Sequence, residues 1–311
     1  MKYVKNVPLP VSGLILALFS LGNLLQDQNP DVKYLFGTLG AILLVLLVLK
    51  IIKYPDDVKN DFKNPVIASS FGTFSMSLML LSTYTIGFIP SISYTIWIIG
   101  LALHILLMIY FTYHFIIHNF NINDVYPTYW IVYVGITMAA ITAPSYGLKE
   151  IGFIFFIIGF ISMLITMPVM IYRYIKYSDV PDVNKPTICI FTAIMSILIV
   201  GYVNSTPQIS IEFIITLYCL ACIFYIFSLY KLVEYRNLEF YPSFSAFTFP
   251  FVISAIATKS VIKLTQNALL MPVETMQTVI AIIAVFYVLS QYINFLKKRV
   301  KKVDFNLLIL C

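Results

Sequence analysis

A proline opens a long apolar segment every 55–62 residues: Pro10 (with Pro8 just before it), Pro65, Pro127, Pro186 and Pro242. Each segment runs into a short polar loop, and a second apolar segment follows that ends in basic or polar residues. A recurrence of this length marks a repeated supersecondary unit. Each segment approaches the ~20 apolar residues that carry a helix across a bilayer, so the unit is a helical hairpin that crosses twice. Spans are expected at 8–26, 33–52, 65–86, 91–117, 127–147, 151–175, 186–203, 209–232, 242–266 and 272–296. They pair into hairpins over 8–52, 65–117, 127–175, 186–232 and 242–296, and 297–311 is left as a basic, then apolar, tail. The expected fold is one all-α polytopic membrane domain of ten helices, its five similar hairpins ringed about an axis.

Composition supports the bilayer as solvent. The chain is 60% hydrophobic and 11% charged, whereas soluble domains carry about 25% charged residues. No loop is long enough to form a separate catalytic domain. With the N-terminus inside, all but Lys33, Lys149, Lys259 and Lys263 of the 20 basic residues fall on the cytoplasmic side. That asymmetry predicts cytoplasmic termini and a multi-pass protein of the cell membrane. The cluster Lys297–Lys302 abuts the last span, so it reads as a stop signal on anionic lipid rather than a nucleic-acid patch. Lys2 and Lys5 precede an apolar run that lacks a small-x-small cleavage site, which predicts a retained first span.

The odd-numbered spans hold about twice the Ser and Thr of the even ones, most densely from Ser69 to Thr85. Lipid offers hydroxyls no hydrogen bonds, so the odd helices are expected inside and the even ones outside. Close helix packing accounts for some of these small residues but not for their alternation. Pro250 is expected to kink the ninth span, leaving the Ala246 carbonyl without its donor. Pro144 interrupts the end of the fifth span and Pro168 an even one. Helix periodicity nominates Ser12, Phe19, Ser69, Thr73, Thr137, Thr192 and Ser245 as pore-facing.

No Asp, Glu, Lys or Arg lies in the middle of a span, which argues against ion-coupled pumps that need a buried carboxylate. His104 is central but single, and reads as a neutral, hydrogen-bonded residue. His114 and His118 have the i, i+4 spacing of a metal pair but no third ligand nearby, and read as polar anchors. Cys219 and Cys222 form a C-x-x-C without acidic or His neighbours and read as small apolar residues. Asp56 and Asp57 lie among Lys53, Lys59 and Lys63 as a solvated cluster. H-E-x-x-H, Walker and G-x-S-x-G motifs are absent from the sequence; neither an enzyme, a metal nor a cofactor is expected.

The five proline-led spans resemble the tellurite-resistance/dicarboxylate transporter family, which includes bacterial TehA, fungal malate permeases and plant slow anion channels. The segments that carry the likeness are Val7 to Leu25, Asn64 to Leu78, Tyr126 to Pro144, Lys185 to Ser196 and Phe247 to Thr258, five in order over nearly the full length. The resemblance implies a quasi-five-fold inner pore of odd helices, a homotrimer with one pore per protomer, and a phenylalanine on the ninth helix that blocks the pore. The string T-F-P places that role on Phe249, flanked by Phe247 and Phe251. Asn64 stands where the family often has a His before the proline.

Three functions are open at this point. The first is a gated channel for small inorganic or organic anions, selected by dehydration cost. The second is a secondary carrier for C4-dicarboxylates such as malate, or for oxyanions such as tellurite or sulfite. Dicarboxylate recognition favours Arg or Lys in the path; none is central, which tilts toward the channel, although Lys259 and Lys263 are placed to guard the outer mouth. The third is a membrane anchor, for which the loops supply no docking domain.

Overall fold

A computed structural model describes residues 2–177 and 179–309, and every α or β element among them is helical. The α-helices are α1 (Lys2–Lys5), α2 (Val11–Leu25), α3 (Pro30–Lys53), α4 (Pro55–Asp61), α5 (Pro65–Ser70), α6 (Gly72–Thr85) and α7 (Pro90–Phe111). They continue with α8 (Tyr129–Tyr133), α9 (Thr137–Thr142), α10 (Lys149–Lys176), α11 (Phe191–Ser205), α12 (Ile211–Glu234), α13 (Phe249–Thr265) and α14 (Met271–Ile309). The last helix runs past the expected end of its span at 296. Of the tail, Leu310 and Cys311 lie outside the described residues.

Eight helical runs among the described residues are long and apolar enough to cross a membrane. The first and fifth of the ten expected spans fall short, for different reasons. Helix α2 is only 15 residues long because the Pro8–Pro10 turn delays its start. The fifth is cut into α8, α9 and a 3-10 turn at Ala143–Tyr146. Between α8 and α9 the amide of Gly135 reaches back five residues to the carbonyl of Trp130 at 3.0 Å, so the ladder loses its register. The segment at Pro65 starts with a side-chain cap: Asn64 Oδ1 accepts from the amides of Val66 and Ile67.

Packing sorts these elements into an inner and an outer set. Helix α2 packs on α6, α6 on α9, α9 on α11, α11 on α13, and α13 back on α2, closing a circuit. Around it lie α3, α7, α10, α12 and α14, the first four each against the inner helix of its own hairpin and α14 against α13. In its apolar window the run Lys185–Ser205 is 94% buried, whereas Lys149–Lys176 is 22% buried with Leu, Ile and Val turned outward. The two sets touch through small residues. Thr137 is wedged between Gly159 of α10 and Gly201 of α11, and a Cβ on either glycine would collide with its side chain.

Many buried hydroxyls are paired, although Thr137 Oγ1 and Ser228 Oγ find no partner among the described residues. Ser12 Oγ donates to the Leu9 carbonyl, and Thr73 Oγ1 lies 2.7 Å from Ser12 Oγ. Ser254 Oγ lies 3.1 Å from Thr192 Oγ1 and 3.2 Å from Ser196 Oγ. His104 is fully buried, with Ser75 Oγ 2.7 Å from Nδ1 and the Val132 carbonyl 3.0 Å from Nε2. A carbonyl can only accept, so these partners fix the tautomer with the proton on Nε2. The imidazole thereby ties α7 to α6 and α8.

Candidate conduction path

Two cavities lie along the axis of the inner circuit, and all five inner segments line both. The first, about 60 Å³, lies where those segments begin or break. Its wall takes Gly13 from the start of α2, Thr73 and Met76 from α6, and Trp130 and Gly135 from the broken fifth span. Ile190, Ile194 and Ile197 face it from the fourth hairpin, and Ser245, Phe249 and Pro250 from the fifth. The wall carries no acidic or basic side chain.

The breaks have an electrostatic consequence. Helices α6, α11 and α13 all start beside this cavity, so the positive ends of their dipoles lie on its side, with first-turn amides such as those of Phe74, Phe191 and Phe251 bonded to the Phe71, Ile188 and Thr248 carbonyls. Pro250, expected to kink a continuous helix, instead stands second in α13. The chain before it is a 3-10 turn at Pro242–Phe247, and Thr248 forms the junction with φ −106° and ψ −84°. Proline fits there because its missing N–H is one the helix start would leave unpaired.

The second cavity, about 280 Å³, lies at the opposite ends of the same helices and is polar. Ser20, Asn23, Gln26 and Asp27 line it from α2 and the turn after it, Asn204 from α11, and Lys259, Ser260 and Lys263 from α13. Asp27 accepts from Lys259 at 3.1 Å and lies 3.5 Å from Lys263. Lys259 also donates to the Leu24 carbonyl at 2.8 Å, holding the end of α2 against α13. The hydrogen bond and charge of Lys259, with a smaller effect of Lys263, hold the Asp27 carboxyl below the usual carboxylate range. The mouth keeps one uncompensated positive charge.

Between the cavities stands an apolar septum. Along α11 the first cavity ends at Ile197 and the second begins at Val200; along α13 the step is from Phe249 and Pro250 to Ile253. Met76 gives way to Leu80 and Gly135 to Met138 in the same manner. Phe249 lines this approach and is 6% exposed. The flanking aromatics point elsewhere: Phe247 meets Phe244 at 4.9 Å, and Phe251 meets Tyr225 of the outer helix α12 at 5.6 Å.

Of the residues nominated from sequence, Thr73, Ser245, Phe249 and Pro250 line the first cavity. Ser12, Ser69, Thr137 and Thr192 are buried within helix contacts and line neither. Phe19 turns away from the axis, its ring against Gly40 of α3 and 5.5 Å from Tyr84. Asn23, Asn204, Met76 and Trp130 were not nominated. The two amides carried a signal, each a carboxamide in the last turns of an odd span; Met76 and Trp130 carried none. Cys219 and Cys222 sit on α12, exposed and half-buried, away from the path.

A family model described as SLAC1, voltage-dependent anion channel, matches residues 6–293. Two proteins of Methanocaldococcus jannaschii are similar to the chain. The uncharacterized transporter MJ0576 is 26% identical over 61% of this chain and 59% of its own length. The uncharacterized transporter MJ0762 is 25% identical over 78% of each. The chain thus spans about three fifths of the first relative.

Proposed function

The chain belongs to the SLAC1 voltage-dependent anion channel family, within the tellurite-resistance/dicarboxylate transporters, and from that premise we propose that it is a gated conduit for small anions. The observation that carries this reading is the pair of axial cavities, lined by all five inner segments and parted by an apolar septum that Phe249 abuts. In this reading all ten segments cross the plasma membrane, with both termini cytoplasmic and quasi-five-fold symmetry about the path. Three protomers assemble, each with its own pore.

An anion enters the outer mouth, drawn by Lys259 and Lys263. It sheds water against the Asn23 and Asn204 amides and meets the septum. On the far side, the helix starts of α6, α11 and α13 offer amide dipoles in place of fixed charge. A path of this kind binds weakly and selects by dehydration, so nitrate passes more easily than chloride. Phe249 is the gate: its ring bars the septum until a rotamer change at the Thr248–Pro250 junction moves it aside.

The lysine pair supports a second reading, a carrier for C4-dicarboxylates such as malate or for oxyanions such as tellurite or sulfite. Two ammonium groups at one mouth suit a doubly charged substrate that takes the place of Asp27 between them. Currents through the purified protein in planar bilayers distinguish the two. A silent wild type and a conducting Phe249→Ala variant, with nitrate current above chloride, support the channel. Silence from both, together with saturable malate uptake into liposomes, overturns it in favour of the carrier.

A further inference from the structure

A second pair of cavities lies outside the inner circuit, where α3 and α4 meet α7. One, about 650 Å³, is open at the helix ends, with Lys59, Lys63, His114 and Asn119 among its lining and Phe62 and Tyr110 beneath. The other, about 370 Å³, continues from it, since Ile51, Phe62 and Tyr110 line both. Its remaining wall is apolar, with Val48 of α3, Leu103 and Leu107 of α7, and Phe71 and Phe74 behind. The exception is Ser75, whose hydroxyl lies 2.7 Å from His104 Nδ1 and 2.8 Å from the Gly72 carbonyl.

The rim holds two lysines and no carboxylate: Asp61, two residues from each, lies 3.6 Å from Lys50, and Asp56 and Asp57 at the start of α4 do not line the opening. Lys63 donates to Asn60 Oδ1 at 3.0 Å, and among the described residues neither Lys59 nor Lys63 has a carboxylate in ion-pair range. The π-helical turn Thr112–His118 that ends α7 presents His114 to the same opening.

A cationic rim above an apolar slot, on the outer face of a membrane-embedded helix pair, complements a molecule with an anionic head and a hydrocarbon tail. We propose that this is a binding site for an anionic phospholipid. The phosphate sits against Lys59 and Lys63, and one acyl chain lies in the slot between α3 and α7. A free phosphate would leave the slot empty, and a zwitterionic lipid would forgo the rim's charge. The back wall joins the site to the axial cavity. Phe71 is the junction between α5 and α6; it stacks on Phe74 at 4.9 Å and lies 5.2 Å from Phe62. Its neighbours Ser70 and Thr73 line the first axial cavity. A bound acyl chain braces the same break that shapes the path.

Binding is read without any transport assay, so it succeeds or fails independently of the channel reading. The full-length protein, delipidated in detergent, is titrated with phosphatidylglycerol, phosphatidylcholine or glycerol 3-phosphate and weighed by native mass spectrometry. We expect phosphatidylglycerol to bind about tenfold or more tightly than phosphatidylcholine, with glycerol 3-phosphate unable to compete. Lys59→Gln with Lys63→Gln abolishes that preference, and Leu103→Trp, which fills the slot, weakens both lipids. Equal affinities, competition by glycerol 3-phosphate, or an unaltered double variant overturns the proposal. So does a Leu103→Trp variant whose lipid binding is unchanged and whose oligomeric mass falls, since a second subunit would then cover the groove.

Discussion

The runs Lys185–Ser205 and Ile211–Asn237 are the two arms of one hairpin and equally apolar, with mean hydropathies of 2.1 and 2.2, yet one is 94% buried and the other 33%. Apolar content puts both arms in the membrane; it does not say which goes to the centre. What differs is the backbone and the hydroxyls. The inner arm starts as a 3-10 turn behind Pro186 and pairs Thr192 with Ser254. The outer arm is one unbroken helix from a Ser210 cap, with its exposed Thr216 bonded to its own turn. Irregular backbone is tolerated at membrane depth only inside protein or beside water, so a helix that must break is a helix that must be inside.

The largest expected effect tests that contrast within one helix. Phe249→Ala raises anion current at least about tenfold above wild type, because it removes the ring abutting the septum. Phe251→Ala, whose ring meets outer Tyr225, leaves the path shut and lowers stability by about 3 kcal/mol or more. Bilayer recordings and thermal melts in detergent separate the two. Equal currents from both variants would break the distinction between path and packing.

Next comes the seam between inner and outer sets. Gly159→Leu on outer α10 drives a branched side chain into Thr137 of inner α9 and costs about 1–3 kcal/mol or more. Gly87→Leu serves as control, since a Cβ there meets nothing within 4 Å. Unfolding midpoints in detergent should fall for the first variant and hold for the second.

A smaller effect is expected from the hydroxyl pairs. A double-mutant cycle on Thr192→Val and Ser254→Ala should show a coupling of about 0.5–1.5 kcal/mol, while Thr216→Val on the outer arm changes stability by a few tenths of a kcal/mol at most. Zero coupling would leave the inner Ser and Thr as mere space-fillers.

The smallest effect concerns the ion pair at the second cavity. The Asp27 carboxyl titrates below its ordinary value of 3.8 when folded. A depressed carboxylate stabilises the fold above its unfolded pKa, and that contribution disappears as pH falls from about 4 through the lowered value. Because Asp27 is 54% exposed, the loss is no more than about 0.5 kcal/mol after screening. Asp27→Asn should abolish this acid-side slope in pH-dependent melts; an unchanged slope would remove the Lys259–Asp27 pair from the account.

The sequence was most legible where one physical rule acted alone. The prolines at 65, 186 and 242 each open an inner segment of the structure, because proline is welcome only where amides lack partners. The alternation of hydroxyls pointed to the inner arms, but their orientation within those arms was not legible. Ser12, Thr137 and Thr192 look like lining by period, yet each faces a helix contact, and Thr192 finds its partner 62 residues away. Phe19, with its ring against Gly40 of α3, follows a related rule. A helix surrounded on all sides has no polar face to mark which side borders the path. Breaks also shift the phase: once α8 yields to α9 through Gly135, counting by 3.6 from Pro127 no longer tracks the axis.

The septum between the cavities contains only uncharged groups, Met76, Leu80, Ile197, Val200, Phe249 and Ile253 among them. A membrane potential does work only on charge that moves, about 2.3 kcal/mol per elementary charge per 100 mV. In the proposed channel, water in the two cavities would concentrate the field over this thin layer, yet turning a neutral ring within it transports no charge. In the proposed channel the potential therefore has no lever on the gate, and its full force falls on the anion crossing the layer. Any steepness with voltage would then report how many ions are in transit together.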